Sequence, residues 1–152
     1  MKNNELIAVA CDHGGFALKC EILKHLEERG ARFEDLGTYS AESCDYPDYA
    51  EKACKKVVSG ECGCAILVCG TGIGISIAAN KIKGIRAAVC TDTFCARFTR
   101  LHNDANVLCL GGRVVGPGLA ADIVDAFLDG DFEGGRHSRR IEKITALENE
   151  NG

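Results

Sequence analysis

Cys64-Ala65-Ile66-Leu67-Val68-Cys69-Gly70-Thr71-Gly72-Ile73-Gly74 is the stretch that decides the fold. Six residues without a polar break read as a strand buried on both faces, the pattern of a parallel sheet covered by helices. The glycine-rich turn behind it opens a helix reaching about Lys81. Strand, tight turn and helix in that order form half of a βαβ unit.

The same unit recurs on either side. Upstream, Leu6 to Cys11 is a second apolar run that ends in Asp12-His13-Gly14-Gly15. A helix with Leu18, Ile22, Leu23 and Leu26 on one face follows, and Gly30 stops it. A short strand falls at Ala31 to Leu36. After a loop from Gly37, Pro47 opens a helix whose stripe is Ala50, Ala53 and Val57. Downstream, Arg86 to Cys90 is a fourth strand, and Thr91 or Asp92 caps a helix running to about His102. Val107 to Leu110 is a fifth strand. Pro117 starts a helix with Ile123, Val124, Phe127 and Leu128 inward, and a last helix carries Ile141, Ile144 and Leu147 in register. The alternation predicts an α/β fold with a parallel sheet, right-handed crossovers and ligands at the carboxyl ends of the strands. No linker or repeat interrupts it, so residues 1–152 are expected to form one domain.

Composition removes several functions. The net charge of −4 and the absence of a basic run exclude an electrostatic footprint for nucleic acid. No apolar stretch approaches the ~20 residues of a membrane-spanning helix, and no signal peptide is visible, which predicts a cytoplasmic protein. Ten cysteines in such a chain read as small buried hydrophobes rather than a disulfide framework. The spacing of Cys62-Gly63-Cys64 is not that of a zinc knuckle, so no metal is expected.

The predicted strand ends collect the unusual chemistry: Asp12 and His13, then Cys69 to Gly74, then Thr91 and Asp92, then Arg113. A parallel sheet gathers such ends on one rim. Backbone N–H groups from Gly70 to Gly74 suit a phosphate or a reaction oxyanion. A Cys69 thiolate could take a proton from carbon next to a carbonyl. Arg136 and Arg140, with His137 between them, suit a phosphate, or alternatively ion pairs with Glu133 or Glu142. Gly70 and Gly72 also fit the first two positions of a dinucleotide fingerprint, with Asp92 at the expected distance, but the third position is Ile75 where glycine or alanine belongs. A nicotinamide-dependent dehydrogenase and a nucleotide-binding module therefore remain as alternative readings.

Taken in order, several segments resemble the family of type B ribose-5-phosphate isomerases, which includes galactose-6-phosphate and allose-6-phosphate isomerases. They are Cys11-Asp12-His13-Gly14-Gly15-Phe16, Asp45-Tyr46-Pro47, Cys69 to Ser76, Ala78 to Lys81, Gly84 to Arg86, His102-Asn103-Asp104, Gly112 to Val115 and Gly134 to His137. The resemblance covers about residues 5 to 148. It implies a Rossmann-like three-layer fold with a five-stranded parallel sheet flanked by helices, plus a C-terminal helix. It implies interconversion of ribose 5-phosphate and ribulose 5-phosphate in the pentose phosphate pathway, or alternatively isomerisation of a six-carbon sugar phosphate such as allose 6-phosphate or galactose 6-phosphate. No metal or organic cofactor is implied. A homodimer is, able to pair into a tetramer, with the active site shared between subunits.

Residue roles follow from the same resemblance. Cys69 matches the base that moves the proton between C1 and C2, and Thr71 a neighbour that orients it. The amides of Gly70, Gly72 and Gly74 match the enediolate hole. His102, with Asp12, matches the group that opens the furanose ring. His13, Arg113, Arg136 and Arg140 match the phosphate clamp, partly supplied by the partner chain, and Tyr46 and Asn103 match substrate contacts. One branch of the family uses a glutamate where this chain has Ile75, which leaves Cys69 as the base. Arg139 is a surplus arginine beside the clamp with no assigned role.

Overall fold

The computed structural model describes residues 5–151. Five parallel strands form one sheet in the order β2-β1-β3-β5-β4. They are β1 (Ile7–Cys11), β2 (Phe33–Asp35), β3 (Cys64–Cys69), β4 (Ala87–Val89) and β5 (Val107–Gly111). Six α-helices join and follow them: α1 (Phe16–Glu28), α2 (Tyr46–Val58), α3 (Ile73–Ala79), α4 (Thr93–Asn103), α5 (Pro117–Leu128) and α6 (Arg136–Asn151). The edge strands β2 and β4 lie inside the predicted runs and are three and two residues shorter, because an edge strand pairs on one side of the ladder only.

Strand periodicity sorts the core into two layers. Successive side chains alternate across a sheet. Val9, Ile66, Val68, Leu108 and Leu110 therefore pack under α1, α4 and α5 with Leu26, Ala96 and Phe127. Ala8, Ala10, Ala65, Leu67, Cys69 and Cys109 face α2 and α3 with Ala53, Cys54 and Ile75. Central β1, β3 and β5 are buried along their whole length. Their continuous apolar runs reflect this double cover.

Local signals hold the helix ends. Gly30 adopts φ +70° and lets Ala31 N–H return to Leu26 O after α1. Asp92 accepts a hydrogen bond from Cys95 N–H at 2.7 Å and caps α4. Pro47 lies in the first turn of α2 and Pro117 begins α5. Lys19 departs furthest from the polar-out pattern among the buried polar residues described. It is 1% exposed, and its ammonium bonds Asp35 Oδ1 and Thr38 O, both at 2.6 Å. This ties α1 to the loop behind β2.

The apolar stripe of the last helix does not face the core. In α6 only His137 is buried, while Ile144 and Leu147 are exposed. The core ends at α5, and α6 crosses to the far edge, where Glu148 accepts from Gly84 N–H at 2.9 Å.

Phe127 is fully buried beneath the Arg100 guanidinium, 5.6 Å from its ring centre. Phe127→Ala is expected to cost about 3–5 kcal/mol of folding free energy, through lost burial and an unfilled cavity. Urea unfolding monitored by circular dichroism measures it.

Candidate active site

The strand order puts a topological switch at β3. α1 and α5 leave β1 and β5 toward one face of the sheet, while α3 leaves β3 toward the other. The loops diverge there and leave a crevice above the carboxyl end of β3. Cys69 is the last residue of that strand and is 4% exposed.

Backbone bonds lock the loops around this crevice. Gly112 N–H donates to Cys69 O at 2.8 Å, and Arg113 N–H to Gly70 O at 2.9 Å. The turn after β3 needs Gly72 in two ways. Its φ is +78°, and a Cβ there would stand 2.9 Å from the Leu110 carbonyl carbon. In this conformation Gly72 N–H points at Cys69 Sγ at 3.1 Å. The sulfurs of Cys11 and Cys90 instead face carbonyl oxygens, of Thr38 and Ala88. Carbonyls suit a thiol that donates, whereas an N–H suits a sulfur carrying negative charge.

The other rim residues surround this sulfur. Asp12 is buried, and its Oδ1 accepts from Gly15 N–H at 3.1 Å, capping a single 3₁₀ turn from His13 to Gly15. His13 Nδ1 lies 3.2 Å from both the amide nitrogen and the carbonyl oxygen of Cys44, which fix the ring beside Asp12. Thr71 is exposed, and its Oγ1 accepts from Ile73 N–H at 3.2 Å. The Arg113 guanidinium lies over Gly70, since Nη1 would be 3.2 Å from a Cβ there. The Tyr46 ring lies against Gly74, with Cζ 2.7 Å from where a Cβ would be. Asp12, His13, Tyr46, Cys69, Gly70, Thr71, Gly72, Gly74 and Arg113 are therefore brought to one rim. Asp92 sits there too, and its Oδ1 caps α4.

His102, Asn103, Arg136 and Arg140 are not on that rim. α4 runs antiparallel to the strands, and its 11 residues carry the chain about 16 Å back toward the other edge. Asn103 O accepts from Arg86 Nε at 3.0 Å, just before β4 begins. Within one chain, then, His102 does not sit beside Asp12. Its ring stacks on His137, with centres 4.1 Å apart and planes 12° from parallel. A groove of about 430 Å³ between α4, α6 and β4 is lined by Phe94, Phe98, His102, Asn103, His137 and Arg140.

Glu133, named from sequence only as an ion-pair partner for the arginines, has its carboxylate 3.7 Å from His102 Nε2 and 3.5 Å from His137 Nε2, a contact the sequence reading did not foresee. The i,i+4 spacing of Glu133 and His137 was the available signal.

A family described as Ribose/Galactose Isomerase matches residues 7–144. Ribose-5-phosphate isomerase B of Escherichia coli (strain K12) is 56% identical over 142 residues, which is 93% of this chain and 95% of that protein. Among solved structures, ribose-5-phosphate isomerase B of Clostridium thermocellum has a TM-score of 0.95 at 54% identity, covering 97% of this chain and 99% of that one. Ribose-5-phosphate isomerase B of Mycoplasma genitalium, solved with bound ribulose-5-phosphate, has a TM-score of 0.90 at 44% identity, covering 95% of this chain and 97% of that one.

Burial pushes the thiols of Cys11, Cys54, Cys64 and Cys90 up to about 12. The folded chain thus keeps these protons while the unfolded chain releases them near the ordinary value of 9.0. The native state binds more protons above that pH, so stability is expected to fall as pH rises from about 9 toward 12. At pH 8 iodoacetamide should leave these four unlabelled in the native protein and label them fully in denaturant, as read by mass spectrometry.

Proposed function

The chain belongs to the ribose/galactose isomerase family, and from that premise we propose that it interconverts ribose 5-phosphate and ribulose 5-phosphate, with residues 1–152 acting as one catalytic domain. The observation that carries the reading is the sulfur of Cys69 at the end of β3, facing the Gly72 amide beneath an arginine. Its thiolate takes the proton from C2 of the open-chain aldose. Electrons move through the C1–C2 bond onto the C1 oxygen and give an enediolate. The amides of Gly70 to Gly74 stabilise that charge. The thiol returns the proton to C1, while a hydroxyl proton crosses from O2 to O1, and the ketose is complete. Thr71 orients the reacting carbons, and Tyr46 covers them.

The remaining groups reach this rim from a second copy of the chain. His102 of a second copy opens the furanose ring against Asp12, and Asn103 beside it contacts the sugar. Arg136 and Arg140 of that copy join His13 and Arg113 in holding the phosphate bidentately. This pairing is supported by the separation of the two residue sets within one chain and by the apolar surface beside each. Ile73 and Ile77 on α3, Phe94 on α4, Val114 after β5 and Leu147 on α6 are all at least half exposed. The unit we propose is a homodimer, open to further pairing into a tetramer.

The cellular setting follows the same line. No helix among the described residues is long and apolar enough to cross a membrane. All ten cysteines are free, which suits the reducing cytoplasm where pentose phosphates are made. The six-carbon phosphates handled by other members of the family are the second substrate class. The open, exposed edge beside Tyr46 and Thr71 favours testing them next.

Cys69→Ala is expected to abolish turnover of ribose 5-phosphate while unfolding stays unchanged. His102→Ala is expected to lose turnover of ribose 5-phosphate as well, because the furanose ring then stays closed. Mixing the two variants after reversible dissociation should restore about a quarter of wild-type activity, because half of the randomly paired dimers then hold one intact shared site. Activity that stays absent in the mixture would place both groups in one chain. Arg136→Ala is expected to raise KM about tenfold or more with a smaller change in kcat, from loss of a bidentate phosphate contact. Initial rates across ribose 5-phosphate concentrations decide it.

A further inference from the structure

His102, Glu133 and His137 each present one ligand atom, and the three atoms lie within 4.8 Å of one another. Three separate segments bring them together: the end of α4, the loop after α5 and the first turn of α6. Backbone bonds fix that meeting. Glu133 N–H donates to Leu101 O at 3.0 Å, and His137 N–H to Gly134 O at 3.1 Å. We propose that this trio binds a divalent transition-metal ion of the Zn²⁺ class, and that the bound ion inhibits the isomerase by holding His102 away from the sugar. The inhibition rests on the role given to His102 above, whereas the binding does not.

Two imidazoles and one carboxylate with a fourth position open are a known donor set for zinc. Bonds of about 2.0–2.1 Å in a tetrahedron place ligand atoms about 3.3 Å apart. Glu133 Oε2 is already 3.5 Å from His137 Nε2 and 3.7 Å from His102 Nε2. The third separation closes by a tilt of His102, which is only partly buried and gives up its stacking on the His137 ring to reach the ion. His137 is buried, with its Nε2 turned toward the Glu133 carboxylate. Charge sets the strength. Glu133 supplies one negative charge, while Arg136 and Arg140 stand nearby and oppose a cation. The site should therefore bind reversibly, as a brake, rather than with the affinity of a structural zinc site. The isomerisation described above uses no metal, so occupancy only subtracts from it.

Cobalt(II) titration of the full chain tests the binding, because nitrogen and oxygen ligands give visible d–d bands without the thiolate charge-transfer absorption that cysteine ligands would add. The expected result is one tetrahedral Co²⁺ per chain without that absorption, displaced by Zn²⁺ and lost in Glu133→Gln with its unfolding temperature unchanged. Charge-transfer bands, no bands, or the same spectrum in Glu133→Gln would overturn the site. Turnover tests the consequence. Zn²⁺ should inhibit the wild type reversibly to EDTA, and Glu133→Gln, active in EDTA, should need about tenfold more Zn²⁺ or beyond. Metal binding with unimpaired turnover would overturn the inhibition and leave the site. An absence of turnover in EDTA would overturn the substrate reading and leave the metal site standing.

Discussion

The 3₁₀ turn after β1 approaches β3 at Gly15 and Val68 more closely than a side chain allows. A Cβ on Gly15 would stand 2.4 Å from the Val68 carbonyl oxygen. Asp12 N–H reaches the same carbonyl at 3.2 Å, and the Asp12 carboxylate turns back to bond the Gly15 amide. On the other side of β3, the amides of Gly112 and Arg113 bond the carbonyls of Cys69 and Gly70. Three strand-end loops are thus fixed against one another by main-chain contacts. Only such contacts position a sulfur and its amide donor to a fraction of an ångström, because side chains have rotamers and the backbone here has none to spare.

Helix direction imposes the second constraint. In a parallel sheet every crossover helix returns the chain to the starting edge, so a residue at the end of α4 cannot reach the rim where α4 began. His102 and Cys69 are separated for that reason and not by any detail of packing. The proposed pairing of two chains is how such a fold completes a site with groups from both edges. It also gives a purpose to the apolar residues on α3, α4 and α6 that one chain leaves uncovered.

The cysteines illustrate how position governs chemistry. Cys64 and Cys69 begin and end the same strand. Cys64 is enclosed by the core, and burial drives its thiol up to about 12. Cys69 lies at the crevice with an amide aimed at its sulfur. The residue type is shared, and the difference is where the strand stops.

The sequence by itself determined the fold class, the five strands and the helices between them, because continuous apolar runs and 3.6-residue stripes are local records of which faces will be buried. It also determined that Asp12, His13, Cys69 and Arg113 would meet, since strand ends in a parallel sheet share one rim. The resemblance, not periodicity, supplied roles for His102, Asn103, Arg136 and Arg140. Only the tertiary structure decided that these lie at the opposite edge, that Lys19 is buried on Asp35, that the stripe of α6 is uncovered, and that Glu133 stands between two histidines. Such facts depend on contacts between segments distant in the chain. Residues 102 and 137 approach to stacking distance only because α5 turns the chain back between them, and no local pattern encodes that separation.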